Sequence, residues 1–76
     1  MTQTGKLVII GSESRLDGTP LVIQGDPDPF GAATNSLLGK GLESGDCITV
    51  TGTIGKIGKV SVIFMIDATP APGACA

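Results

Sequence analysis

The sequence predicts a mainly β fold, a small barrel or rolled sheet of four to five strands with one short helix near residues 33–38. Three observations carry that reading. The apolar runs are dominated by β-branched Val and Ile, which favour a pleated, half-buried surface over a helix. Residues 47–54 alternate apolar and polar with a period of two, the signature of a strand with one buried face. Turn signals separate the apolar runs, most clearly at Asp17-Gly18 and across residues 55–58. Rolling a sheet of this size reduces its exposed edges.

The first segment, residues 5–16, joins Leu7-Val8-Ile9-Ile10 to the polar run Ser12-Glu13-Ser14-Arg15 and reads as one strand. Asp17-Gly18 follows, and Thr19-Pro20-Leu21-Val22-Ile23-Gln24 lies beyond it. Asp-Gly between apolar runs is a strong hairpin signal, because both turn residues must accept positive φ. Pro20 has no amide hydrogen, so it belongs at a strand start or faces away from the ladder. Residues 25–31 contain Asp-Pro twice and form a connector, since proline and the residue before it disfavour helix. Residues 32–38 then hold one or two helical turns, capped by Thr34 or Asn35 and stopped by Gly39 and Gly41.

Gly45-Asp46 opens the most regular stretch. Ile48, Val50 and Ile54 share one face there, and Cys47, Thr49, Thr51 and Thr53 share the other. Gly52 falls on the apolar face, where a bulge or sharp bend is expected. After a turn across residues 55–58, Val60, Val62, Phe64 and Ile66 line one face of a last strand, while Ile63 and Met65 make the other face apolar too. A strand apolar on both sides is sandwiched within the fold or contributes to an interface. Ile63 and Met65 are the candidate interface residues. Residues 1–68 form the single expected domain, and residues 69–76, rich in Pro and Ala, a flexible tail.

Composition bounds the function. The chain of 76 residues is 41% hydrophobic and only 16% charged, with a mean hydropathy of +0.36. Intrinsic disorder needs the opposite balance. A domain this small buries only about 60% of its unfolded surface, so an assembly that hides more apolar area is expected. There is no His, Trp or Tyr. The missing histidine removes the commonest general base, metal ligand and pH switch together. The net charge is −2, and the five cations, Lys6, Arg15, Lys40, Lys56 and Lys59, are scattered. That argues against a general nucleic-acid binder. The run Leu7-Val8-Ile9-Ile10 is too short for a signal core or a membrane span, so a cytoplasmic protein without a membrane role is expected. In that compartment Cys47 and Cys75 are expected as free thiols; a secreted chain would join them across the last hairpin.

The stretch Gly45-Asp46-Cys47-Ile48-Thr49-Val50-Thr51-Gly52-Thr53-Ile54, with the glycine-containing loop and apolar strand after it, resembles the last hairpin of OB-fold domains. Residues 37–42 match the short helix and loop that precede that hairpin. The resemblance implies a five-stranded barrel with three strands before the helix; only two are legible before Gly25, so either the long first segment bends and serves twice or the chain is a shorter relative. It also implies a binding role, since OB-like domains take up oligonucleotides or oligosaccharides, or serve as protein-binding modules. The nucleic-acid binders stack bases on aromatic side chains within a basic groove. This chain has only Phe30 and Phe64.

No residue set stands out as catalytic. Asp26 and Asp28 lack the further oxygen ligands of a calcium loop and read as Asx turns. Residues 52–59 depart from P-loop spacing and lead into a strand rather than a helix. Gly39-Lys40-Gly41 does not open a helix, so a dinucleotide fingerprint fails. The serines have no histidine partner, and Cys47 has no basic neighbour in sequence to activate it. The Thr49, Thr51 and Thr53 row reads as a solvent face or a hydroxyl-rich binding face. The resulting expectation is a non-enzymatic binding or assembly module, without cofactor or metal, acting on a protein partner or as a homo-oligomer. The alternative is single-stranded nucleic-acid binding through Lys56, Lys59 and Lys6, with Phe30 as the stacking residue.

Overall fold

The computed structural model describes residues 1–75. Its elements are β1 (Thr2–Ile10), β2 (Glu13–Leu16), β3 (Thr19–Val22), α1 (Pro29–Gly39), β4 (Cys47–Ile57) and β5 (Val60–Pro70). Hydrogen-bonded neighbours run β1-β2-β3-β5-β4, and β4 returns to β1, so the mixed sheet closes in a ring. The ring is uneven. β4 and β5 pair along their whole length, whereas the parallel β3–β5 seam rests on Leu21↔Ile63 and Val22↔Phe64 alone.

Glycine chemistry sets the corners. Asp17 and Gly18 have φ of 49° and 86°, the paired positive φ that a type I′ loop requires, and they join β2 to β3 as expected. The segment 5–16 is two strands rather than one. Gly11, at φ 60°, opens a two-residue loop between Ile10 and Glu13, where only glycine takes the first position without strain. β1 itself serves two neighbours. Its first half pairs with β4 from Thr2↔Thr51 to Lys6↔Cys47, and its second half pairs with β2 from Leu7↔Leu16. The break at Gly11 makes β2 the third strand before the helix, so the first segment bends and serves twice rather than belonging to a shorter relative.

The helix begins earlier than its expected cap at Thr34 or Asn35. Asp28 is the N-cap, its Oδ1 accepting from the Gly31 amide at 3.2 Å, and Pro29 occupies the first turn. Proline read as a breaker is here a starter, because the first helical amide needs no intrahelical acceptor. Asp26 accepts from the Asp28 amide at 2.9 Å, the Asx turn expected of it. At the other end the Leu42 amide donates to Leu37 O and the Gly41 amide to Leu38 O. With Gly41 at φ 79°, this is a Schellman stop. Leu37 and Leu42 both drop into the core.

That core is aliphatic, built around Leu7, Leu16, Leu21, Leu37, Ile48 and Ile63. Ile63 and Met65 are only 1% and 5% exposed. They are core residues, and the interface role expected of them is corrected accordingly, since neither presents surface to a partner. On the opposite face of the same strands, Val22 and Val62 are also fully buried. Phe64 is half-buried there, its ring lying over Gly55.

The bulge expected at Gly52 is present, with its extra residue on the partner strand. Thr51 faces Asp67 and Gly52 faces Met65, so Ile66 is left over. A side chain at Gly52 would run into the Phe64 carbonyl. β4 then continues to Ile57, through most of the stretch 55–58 expected as a turn. The turn is Gly58-Lys59, with Gly58 at φ 62°.

The two cysteines are joined, which corrects the expectation of free thiols. The β4–β5 ladder brings Pro70 back beside Ile48, the Ala71 amide donates to Cys47 O at 2.9 Å, and Cys75 bonds to Cys47 with their Cα atoms 5.7 Å apart. β5 extends to Pro70, two residues into the segment read as tail. Ala76 lies outside the described residues. Among those residues, no helix is long and apolar enough to cross a membrane.

Candidate functional site

The β4–β5 ribbon outruns the ring that supports it. The last contact with β1 is made by Met1, whose ammonium donates to Gly52 O at 2.7 Å while the Gly52 amide donates to Met1 O at 3.0 Å. Beyond Gly52, β4 runs on through Ile57 with β5 on one side only. Backbone groups alternate sides along a strand. Those of Ile54 and Lys56 therefore point the same way as those of Gly52, toward an edge with no strand against it among the described residues.

The side chains of this ribbon are distinctive. Ile54 is 63% exposed, Val60 51% and Ile66 77%. Ile66 points outward in phase with Val60, Val62 and Phe64, and the bulge then turns Asp67 outward as well before Ala68 returns to the core. Lys56 and Lys59 are exposed, and neither belongs to an ion pair among the described residues. From Gly52 to Ile66 there is no acidic residue; all seven lie elsewhere in the chain.

The other residues read as binding candidates do not join this patch. Lys6 faces Cys47 at the far end of β4, nine residues from Lys56, which at the usual strand rise is about 30 Å. Phe30 lies half-buried in the first turn of α1, a helix that packs on β2 and β3. The lysine pair is thus local, and the four-residue site expected for nucleic acid does not assemble around it.

The acidic residues are engaged in local structure. Asp26 and Asp28 hold the start of α1, and Asp46 accepts from the Glu43 amide at 2.9 Å. Asp67 accepts from Lys40 Nζ at 2.9 Å. That hydrogen bond, with a second from the Ala68 amide and the lysine charge, holds its carboxyl below the usual carboxylate range. A cavity of about 220 Å³ is lined by Asp46, Cys47, Pro70 and Pro72, beside the disulfide. No cluster of three or more metal-ligating side chains occurs among the described residues.

The threonine row noted on β4 is one column of a wider array. Thr51 faces Thr2, Thr49 faces Thr4 on one side and Thr69 on the other, and the Thr4 and Thr49 hydroxyls are 2.8 Å apart. The partners on β1 and β5 are remote in sequence, so only the strand register shows them together. Comparison with known proteins returns no match: no family model fits the chain, and no curated protein or solved structure is detectably similar.

Proposed function

We propose that this chain is a non-enzymatic binding or assembly module built on an OB-like barrel, with the projecting β4–β5 ribbon as its docking surface. Three strands before the helix, a parallel third-to-fifth seam and a ring of five strands support the OB-like assignment. The observation that carries the binding role is the ribbon's exposed apolar residues, Val60 and Ile66 on one face and Ile54 on the other, along a stretch from Gly52 to Ile66 with no acidic side chain. Single exposed apolar residues are ordinary, but three on one two-stranded ribbon of so small a domain leave apolar area for a partner to cover. The disulfide favours an oxidising compartment over the cytoplasmic placement expected from sequence, because cytosolic thiols are kept reduced.

The test combines sedimentation velocity over a wide concentration range with binding of a hydrophobic dye to the native protein. Self-association or dye binding that falls in the double variant Val60→Lys, Ile66→Lys is the expected result. A monomer at every concentration, with no dye bound, would remove the ribbon as a docking surface.

Single-stranded nucleic-acid binding is the second reading, favoured only by Lys56 and Lys59 lying in and beside the loop between β4 and β5. In OB-like barrels that loop borders the ligand. It predicts oligonucleotide binding that weakens with salt and in Lys56→Ala and Lys59→Ala. Binding absent at low salt would eliminate it.

A further inference from the structure

The ribbon combines three features that together describe a ligand, given the binding role proposed above. First, it has an open edge. The Ile54 and Lys56 N–H and C=O groups face outward past the point where Met1 ends its pairing with Gly52, so a peptide backbone laid there would continue the sheet. Second, the edge is cationic: Lys56 on the edge and Lys59 in the adjoining turn are the only charged side chains from Gly52 to Ile66. Third, Ile54 shares the face of Lys56 and stands 63% exposed, leaving an apolar contact for the side chain two residues along an added strand from the one that meets Lys56.

We propose that the free edge of β4 at Ile54 and Lys56 takes up an acidic peptide segment in extended conformation as an additional strand. The same charges oppose the simplest competitor, a second copy paired edge to edge, because that arrangement gathers four lysines around one seam. Nucleic acid fits less well. A phosphate backbone has no alternating amide donor and acceptor to match the edge, and Phe64, the ribbon's one aromatic, is half-buried over Gly55.

The probe is a fluorescein-labelled, acetylated hexapeptide, Thr-Glu-Thr-Val-Thr-Glu, whose Glu and Val side chains share one face of a strand, followed by fluorescence anisotropy with the disulfide-intact protein at low salt. Two further peptides carry backbone N-methyl groups on either the Glu and Val residues or the Thr residues between them. One of these presents its methyl groups to the edge and is expected to lose binding, while the other keeps it. The double variant Lys56→Glu, Lys59→Glu is expected to weaken the parent peptide by about tenfold or more, as two surface ion pairs turn to repulsion. Loss of binding by neither methylated peptide overturns the proposal, as does an oligothymidylate that binds more tightly and displaces the peptide. No binding of the acidic peptide at low salt also overturns it. If dye binding or self-association through Val60 and Ile66 persists in that case, the docking role of the ribbon stands and only the choice of ligand falls.

Discussion

Removing the disulfide should cost far more stability than the few contacts of the residues it tethers would imply. Cys47 and Cys75 are 28 positions apart. In the chain-entropy account, closing a loop of that length removes about 3.5 kcal/mol worth of freedom from the unfolded chain at 25 °C. The native state gives up little in return, since the β4–β5 ladder already holds Pro70 beside Ile48. A single domain of 76 residues loses roughly 4–8 °C in Tm per kcal/mol, so Cys75→Ser should melt roughly 15–25 °C below the wild type. Thermal unfolding followed by circular dichroism, with and without reductant, measures the difference. Urea unfolding should also show a larger m in the variant, because its unfolded chain is more expanded. A shift of only a few degrees, with m unchanged, would refute the reasoning and mean that the bridge constrains nothing the unfolded chain would otherwise explore.

Gly52→Ala should lower stability by about 1–3 kcal/mol, because the new methyl meets the Phe64 carbonyl and backbone must move to admit it; Gly39→Ala, with open space around it, should be neutral or mildly stabilising in the same urea titration. Ser14→Ala should raise the urea midpoint, since the Ser14 hydroxyl is buried with no hydrogen-bond partner among the described residues and an unmet buried hydroxyl costs about 1–3 kcal/mol. Asp67, held low by Lys40, stabilises the fold above its unfolded pKa, and that contribution is lost as pH falls through the folded value. Carboxyl NMR should place its titration below the usual carboxylate range, and Lys40→Met should move it upward.

Local chemistry was legible wherever one residue type forces one geometry. Asp17-Gly18 announces a hairpin because few pairs accept two positive φ values, and Gly52 announces a bulge because the apolar face has no side chain there. The break at Gly11 was hidden for a physical reason. β2 buries Ser14 rather than an apolar residue, so Glu13-Ser14-Arg15-Leu16 carries almost no alternation to mark a strand. The inward face of β5 was ambiguous because both of its faces are apolar and the Ile66 bulge changes the phase: Ile63 and Met65 point in before it and Ala68 after it. Long-range facts stayed invisible or undecided. The Thr2–Thr51 pairing leaves no trace in sequence spacing, and the hairpin allowed the Cys47–Cys75 bridge without deciding it, because that choice rests on the redox compartment.

The doubly apolar last strand poses one question, namely what covers each side. Inside the ring the answer is complete, with Ile63 and Met65 in the core. On the outer side, cover is partial. Val62 is sealed and Phe64 lies over Gly55, but Val60 at the start of the strand and Ile66 further along it remain in water, while Ile54, opposite Ile63, is exposed on the other face where the ring ends. At Ile54 and Val60 this surplus coincides with the stretch of β4 beyond Gly52 that has no second strand against it among the described residues. A protein burdened with such an edge must keep copies of itself from pairing there, and charge is the usual means. Lys56 and Lys59 supply it. A lysine pair that repels its own copy attracts a carboxylate-bearing strand by the same Coulomb term, so protection against aggregation and selection of an acidic ligand are one property of this ribbon.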